Sequence, residues 1–176
     1  MNILVVTGSP RKGGNTEIMA EAFAQGARET GNTVDIVKLS SVKVNPCMAC
    51  EYCRTHDGEC IQKDGMQDIY KIMDKSDMIV YASPVYYFTM TSQIKAVIDR
   101  FYAKGKVGYN IKSAALLLNS ASENVYDSSI QCYKAINRYM NWTDKGIITI
   151  SGMSSKGAMK QSSELEKVRE FGRSIK

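Results

Sequence analysis

Histidine is almost absent from this sequence: its 176 residues contain one, His56. A Ser-His-Asp hydrolase needs a histidine beside a nucleophile elbow, and no G-x-S-x-G occurs, which argues against that chemistry. Long apolar runs are missing as well. No segment approaches the roughly 18 consecutive apolar residues of a membrane span, and the N-terminus has no charged stretch followed by a long apolar one. The expectation is a cytoplasmic chain with no membrane partner and with its cysteines reduced. The net charge of +5 is spread along the chain, and no basic run interleaved with aromatics marks a nucleic-acid face. Internal repeats, low-complexity stretches and linkers are also lacking. Residues 1–176 therefore read as a single domain, large enough to bury roughly 70% of its unfolded surface without a disulfide or a metal.

What the sequence does contain is an alternation of strand and helix. Short apolar runs at Ile3 to Val6, Met78 to Ala82, Ala114 to Leu118 and Ile147 to Ile150 read as strands, and Thr33 to Leu39, after the Gly31-Asn32 stop signal, reads as the second strand. Between them, apolar residues recur at helical spacing after Thr16, over Met66 to Lys75, from Ser92, over Val125 to Met140, and in a polar closing helix from Ser162 to Ile175. Continuous apolar strands separated by helices imply a doubly wound α/β domain: a parallel sheet of about five strands with helices on both faces. In such a fold ligands bind beyond the carboxyl ends of the strands, which directs attention to the loops there.

The first of these loops is Gly8-Ser-Pro-Arg-Lys-Gly-Gly-Asn-Thr16. Its glycines permit close backbone approach, its hydroxyls and amide are donors, and Arg11 brings charge. It ends where a helix begins, a place that favours a phosphate. It lacks the Gly-Lys-Ser/Thr of a Walker A loop and the G-x-G-x-x-G of a dinucleotide fingerprint, so a single phosphate monoester fits best. An ordinary glycine-containing turn is the alternative on this stretch alone.

The loop after the third strand, Ser83-Pro-Val-Tyr-Tyr-Phe-Thr-Met-Thr91, is aromatic where a plain turn would be polar. It suits the packing of a flat, largely apolar ring. By itself it reads more readily as a core cap or a subunit contact formed by Tyr86, Tyr87 and Phe88. A third loop, Asn119 to Asn124, completes the set.

The pair Gly8-Ser-Pro-Arg…Gly-Asn-Thr16 and Ser83-Pro-Val-Tyr-Tyr-Phe88…Ser92-Gln-Ile-Lys…Asp99-Arg100 resembles the NADPH-dependent FMN reductase and iron–sulfur flavoprotein branch of the flavodoxin-like superfamily. The resemblance runs from Met1 to about Tyr102 and is weaker beyond. It implies a flavodoxin-like five-stranded sheet and an FMN whose 5′-phosphate is held by Ser9, Arg11, Asn15 and Thr16. The isoalloxazine would lie along Pro84, Val85, Tyr86, Tyr87 and Phe88, bordered by Asn119 and Ser120. It further implies NAD(P)H as co-substrate, a quinone, flavin or other small molecule as electron acceptor, and a homodimer or homotetramer. The alternative is a flavodoxin-type electron carrier without a substrate of its own, against which the positive net charge leans. With FMN supplying the chemistry, no acid–base pair of side chains is needed.

Between the second strand and its helix, Pro46-Cys47-Met-Ala-Cys50-Glu-Tyr-Cys53-Arg-Thr-His-Asp-Gly-Glu-Cys60 gives C-x2-C-x2-C-x6-C. Four thiolates in one loop are what a [4Fe–4S] cluster takes, and the pattern is close to the compact motif of the iron–sulfur flavoproteins. There the flavin would pass single electrons through the cluster to a partner such as a ferredoxin. Free or redox-active thiols remain open as a second reading of Cys47, Cys50, Cys53 and Cys60. Zinc is disfavoured because its all-cysteine sites usually pair two separated knuckles, and a disulfide by the compartment. Cys132 reads as a small apolar helix residue, His56 as a solvated one. Lys95 and Arg100 read as a helix surface or subunit contact, and Lys104, Lys106 and Lys112 as solvated.

Overall fold

The computed structural model describes residues 1–176. Five strands form the parallel sheet: β1 (Asn2–Thr7), β2 (Thr33–Lys38), β3 (Met78–Tyr86), β5 (Ser113–Asn119) and β6 (Thr143–Ile150), in the order β2-β1-β3-β5-β6. The order reverses between β1 and β3, which is the switch point where such folds bind ligands. The two-residue strand β4 (Thr89–Met90) pairs antiparallel with the end of β3.

Alternation along each central strand sends side chains to two separate cores. Leu4, Val6, Ile79, Tyr81, Leu116 and Leu118 pack beneath α3 (Met66–Met73), α4 (Ser92–Arg100) and α5 (Asp127–Met140). Ile3, Val5, Met78, Val80, Ala115 and Leu117 pack beneath α1 (Asn15–Glu29) and α6 (Leu165–Ser174). Burial on both faces is why these strands read as unbroken apolar runs. Helices α1 and α6 touch through glycine. A Cβ on Gly26 would lie 1.9 Å from the Arg169 carbonyl oxygen, and one on Gly172 would lie 2.1 Å from that of Phe23.

Three elements differ from the sequence reading. β3 continues through Ser83-Pro-Val to Tyr86 and folds back at Tyr87 and Phe88, both with positive φ (48° and 70°), so the expected loop is a tight hairpin. β6 begins at Thr143 rather than Ile147, because an edge strand keeps polar residues such as Asp144 and Lys145 in water. The cysteine segment contains a short helix, α2 (Tyr52–Thr55), too brief to show periodicity. No helix is long and apolar enough to cross a membrane.

Candidate functional site

The loops after β1, β3, β5 and β6 meet at one edge of the sheet. The first is fixed by Gly8, whose N–H donates to the Ala82 carbonyl at 2.8 Å and whose own carbonyl accepts from Thr91 Oγ1 at 2.8 Å. A Cβ there would lie 2.2 Å from Ile94 Cγ1, so only glycine lets α4 approach. Beyond it, Ser9 Oγ accepts from the Arg11 N–H at 3.1 Å, the Gly14 N–H donates to the Arg11 carbonyl at 3.1 Å, and the Gly13 N–H donates to Glu17 Oε2 at 2.9 Å.

These bonds close the loop on itself and leave the start of α1 open. Gly14 is the N-cap and supplies no side-chain cap. The N–H groups of Asn15, Thr16 and Glu17 have no protein acceptor, although all three residues are buried. Buried amides of this kind are normally paired. Three convergent donors at the positive end of a helix are a ready phosphate site. Arg11 and Lys156 line the same cleft and add positive charge.

The structure brings Ser9, Arg11, Thr16, Pro84, Val85, Tyr86, Asn119 and Ser120 into this cleft together with Asn15. Thr16 Oγ1 accepts from Asn119 Nδ2 at 2.8 Å, which leaves the threonine proton free for a ligand. Ser120, Tyr126 and Ser151 form a chain of hydroxyls at 2.9 Å spacing behind the third loop. Asn15 stands in the wall, but its side-chain amide is already engaged. Nδ2 donates to the carbonyls of Met153 at 3.0 Å and Ser155 at 2.8 Å, and Oδ1 accepts from the Met159 N–H at 3.1 Å. What Asn15 can offer a phosphate is its backbone N–H. Tyr87 and Phe88 do not line the cleft; they form the tip of the β3–β4 hairpin, with Tyr87 96% exposed.

Gly14, Ala121, Met153, Ser154 and Lys156 complete the cleft and were not among the expected residues. The loop after β6, Ser151-Gly-Met-Ser-Ser-Lys156, follows the carboxyl end of a strand whose last residues are apolar, the same position that marked the other three loops. The donor set and its charge fit a phosphate monoester, and Pro84, Val85 and Tyr86 offer a mostly apolar wall next to it. The residues present thus fit an FMN.

The cysteine segment leaves the same sheet edge after β2. Cys53 is buried and Cys60 half-buried, whereas Cys47 and Cys50 are exposed, and all five cysteines are unpaired. Cys47, Cys50, Cys53 and Cys60 line one small cavity, yet no three of them converge closely enough to hold a metal ion. Burial pushes the Cys53 thiol up from its ordinary value. Ala49, Glu51 and Asp57 have φ near +50°, a strained backbone that tends to mark functional loops. The donor set suits an iron–sulfur cluster by its chemistry.

Arg100 departs from the sequence reading. It is 1% exposed and floors the cysteine cavity instead of covering a helix surface. His56 is exposed and stacks on Tyr52 at 3.6 Å between ring centroids. Lys104, expected to be solvated, is partly buried and pairs with Asp74 at 2.8 Å. Cys132 is half-buried on α5.

Residues 1–146 match the family model described as NADPH-dependent FMN reductase. An iron–sulfur flavoprotein of Methanosarcina thermophila is 37% identical over 139 residues, 74% of this chain and 70% of that protein. One from Archaeoglobus fulgidus is 38% identical over 118 residues, 63% of this chain and 53% of that protein, so the match spans about half of its length. Among solved structures, the NAD(P)H:quinone oxidoreductase from Methanothermobacter marburgensis superposes with a TM-score of 0.71 at 17% identity, over 100% of this chain and 99% of that one. That likeness supports the flavodoxin-like fold.

Proposed function

Since the chain belongs to the NADPH-dependent FMN reductase family, we propose that it is an FMN oxidoreductase moving electrons from NAD(P)H to a small acceptor such as a quinone or a free flavin. The observation that carries this reading is the uncapped, buried start of α1, where the N–H groups of Asn15, Thr16 and Glu17 have no protein partner and where Asn15 and Thr16 line a cleft with Pro84, Val85 and Tyr86. When bound, FMN supplies the redox chemistry, taking a hydride from the nicotinamide and passing electrons onward.

The protein's own residues bind and orient. The amides of Asn15, Thr16 and Glu17, the hydroxyls of Ser9 and Thr16, and the charges of Arg11 and Lys156 hold the phosphate. Pro84, Val85 and Tyr86 exclude water from one side of the ring, and Asn119, Ser120 and Ala121 border the other. Tyr87 and Phe88, exposed apolar rings on a strained turn, serve as a contact to a second subunit in a homodimer or homotetramer.

The four cysteines support a finer reading in which Cys47, Cys50, Cys53 and Cys60 would hold a [4Fe–4S] cluster, which would supply one-electron chemistry between the flavin and a ferredoxin-like partner. It rests on the C-x2-C-x2-C-x6-C spacing, the shared cavity, and the likeness to the Methanosarcina and Archaeoglobus proteins named iron–sulfur flavoproteins.

Anaerobic mixing of the FMN-loaded protein with NADPH or NADH tests the reductase reading. Bleaching of the flavin absorbance, reversed by added quinone over repeated cycles, is the expected result. A flavin that stays bound and oxidised with both nicotinamides would point to the carrier instead.

A further inference from the structure

Arg100 is one of the largest wholly buried side chains in the protein, and its hydrogen bonds go to the two ends of one loop. Nη1 donates to the Asn45 carbonyl and to Asp64 Oδ2, both at 3.0 Å. Nη2 donates to Asp64 Oδ1 at 3.2 Å and to the Gln62 carbonyl at 3.4 Å. Asp64 in turn accepts from the N–H groups of Asn45 at 2.8 Å and Met66 at 3.1 Å. Asn45 lies two residues before Cys47 and Gln62 two residues after Cys60, so one guanidinium closes the base of the whole cysteine segment.

Four of the five guanidinium N–H groups can be matched to these acceptors. The fifth, on Nε, is buried and has no partner. Arg100 also lines the cavity bounded by Cys47, Cys50, Cys53 and Cys60. The clamp itself does not use this donor, and a buried polar group without a partner costs free energy, so the Nε–H is available to an acceptor entering the cavity.

We infer that Arg100 is a positioning residue for the cysteine loop and that its Nε–H is a donor held for a sulfur anion, a thiolate or a cluster sulfide, when the loop is loaded. The inference rests on the cluster reading given above. Cluster potentials depend on net charge and on hydrogen bonds to sulfur. The Arg100 cation stabilises the more negative, reduced cluster and raises its potential; the Asp64 carboxylate opposes it.

The test is anaerobic reconstitution of the full chain with ferrous iron and sulfide, comparing wild type with Arg100→Met, Arg100→Lys and Asp64→Asn. Iron per chain, iron retention against a chelator and the midpoint potential are measured, with an FMN titration reporting the fold. Arg100→Met should lose iron roughly 10- to 100-fold more readily and, where loaded, show a lower potential. Arg100→Lys should retain iron better than Arg100→Met. Asp64→Asn, which keeps the cation and removes the anion, should show a higher potential than wild type. Loosened packing alone would not shift the two variants in opposite directions.

If Arg100→Met does not fold, Arg100→Lys and Asp64→Asn still decide the matter. Variants that load fully at the wild-type potential would overturn the inference and leave the cluster reading standing. A wild-type chain that takes up no iron would instead reject the cluster reading, and the inference with it.

Discussion

The side-chain amide of Asn15 donates to the carbonyl of Ser155 at 2.8 Å, joining the first turn of α1 to a loop 140 residues further along the chain. With its bonds to Met153 and Met159, Asn15 holds the loop after β6 against the cleft. Asn15→Ala should therefore destabilise the protein by about 2–3 kcal/mol, the scale of leaving buried backbone groups unpaired. Asn15→Asp conserves shape but faces two carbonyls with a carboxylate and brings negative charge to the proposed phosphate site. It should weaken FMN binding more than the alanine variant does. Urea unfolding and FMN titration of both variants check this; equal FMN affinity in the two would contradict it.

Arg11 and Lys156 reach the cleft from opposite loops. Arg11→Ala should weaken FMN binding by about 1.5–3 kcal/mol, the range for a hydrogen bond to a charged group. Both residues are exposed, so the loss should shrink as salt is added. Lys156→Ala should behave in the same direction. Isothermal titration at low and high ionic strength measures both, and affinities unmoved by either substitution would remove these cations from the site.

Gly26 and Gly172 let α1 and α6 meet backbone to backbone. Gly172→Ala places a methyl group 2.1 Å from the Phe23 carbonyl oxygen, where backbone cannot yield cheaply. A loss of about 1–3 kcal/mol is expected from this overpacking, seen as a lower urea midpoint at unchanged slope. Wild-type stability in Gly172→Ala would mean that the helices slide apart at little cost.

Asp64 gives the stability a signed pH dependence. Burial pushes its carboxyl upward, but the Arg100 fork and the N–H groups of Asn45 and Met66 outweigh that and hold it below the ordinary carboxylate range. A depressed value means that the contribution is complete above the unfolded pKa of about 3.9 and is lost as pH falls through the lower folded value. Asp64→Asn should cost about 3 kcal/mol at pH 7, because it leaves a buried guanidinium uncompensated. The gap to wild type should narrow below about pH 4. Unfolding curves at pH 7 and pH 3.5 decide it, and a gap of constant size would show that the ion pair does not set the slope.

Much of the architecture was legible because central strands buried on both faces must be continuously apolar, and Ile79 to Tyr81 and Ala114 to Leu118 are. The open start of α1 was legible through Gly13, Gly14 and Thr16. What escaped depends on partners distant in sequence. Arg100 reads as a surface residue at a helix end until Asp64, 36 residues earlier, is seen against it. The amide of Asn15 looks like a ligand donor until the loop after β6 is placed. Tyr87 and Phe88 gave no turn signal, since positive φ at consecutive aromatics is set by the β3–β4 pairing and not by local preference.

The central claim, that the start of α1 holds the phosphate of a flavin, is tested most directly by titrating the same preparation with FMN and with riboflavin, which lacks the phosphate. The account predicts saturation at about one FMN per chain and binding of riboflavin weaker by at least about 2 kcal/mol, the loss of several charge-assisted bonds. Equal affinity for the two flavins, or binding of neither, would contradict it.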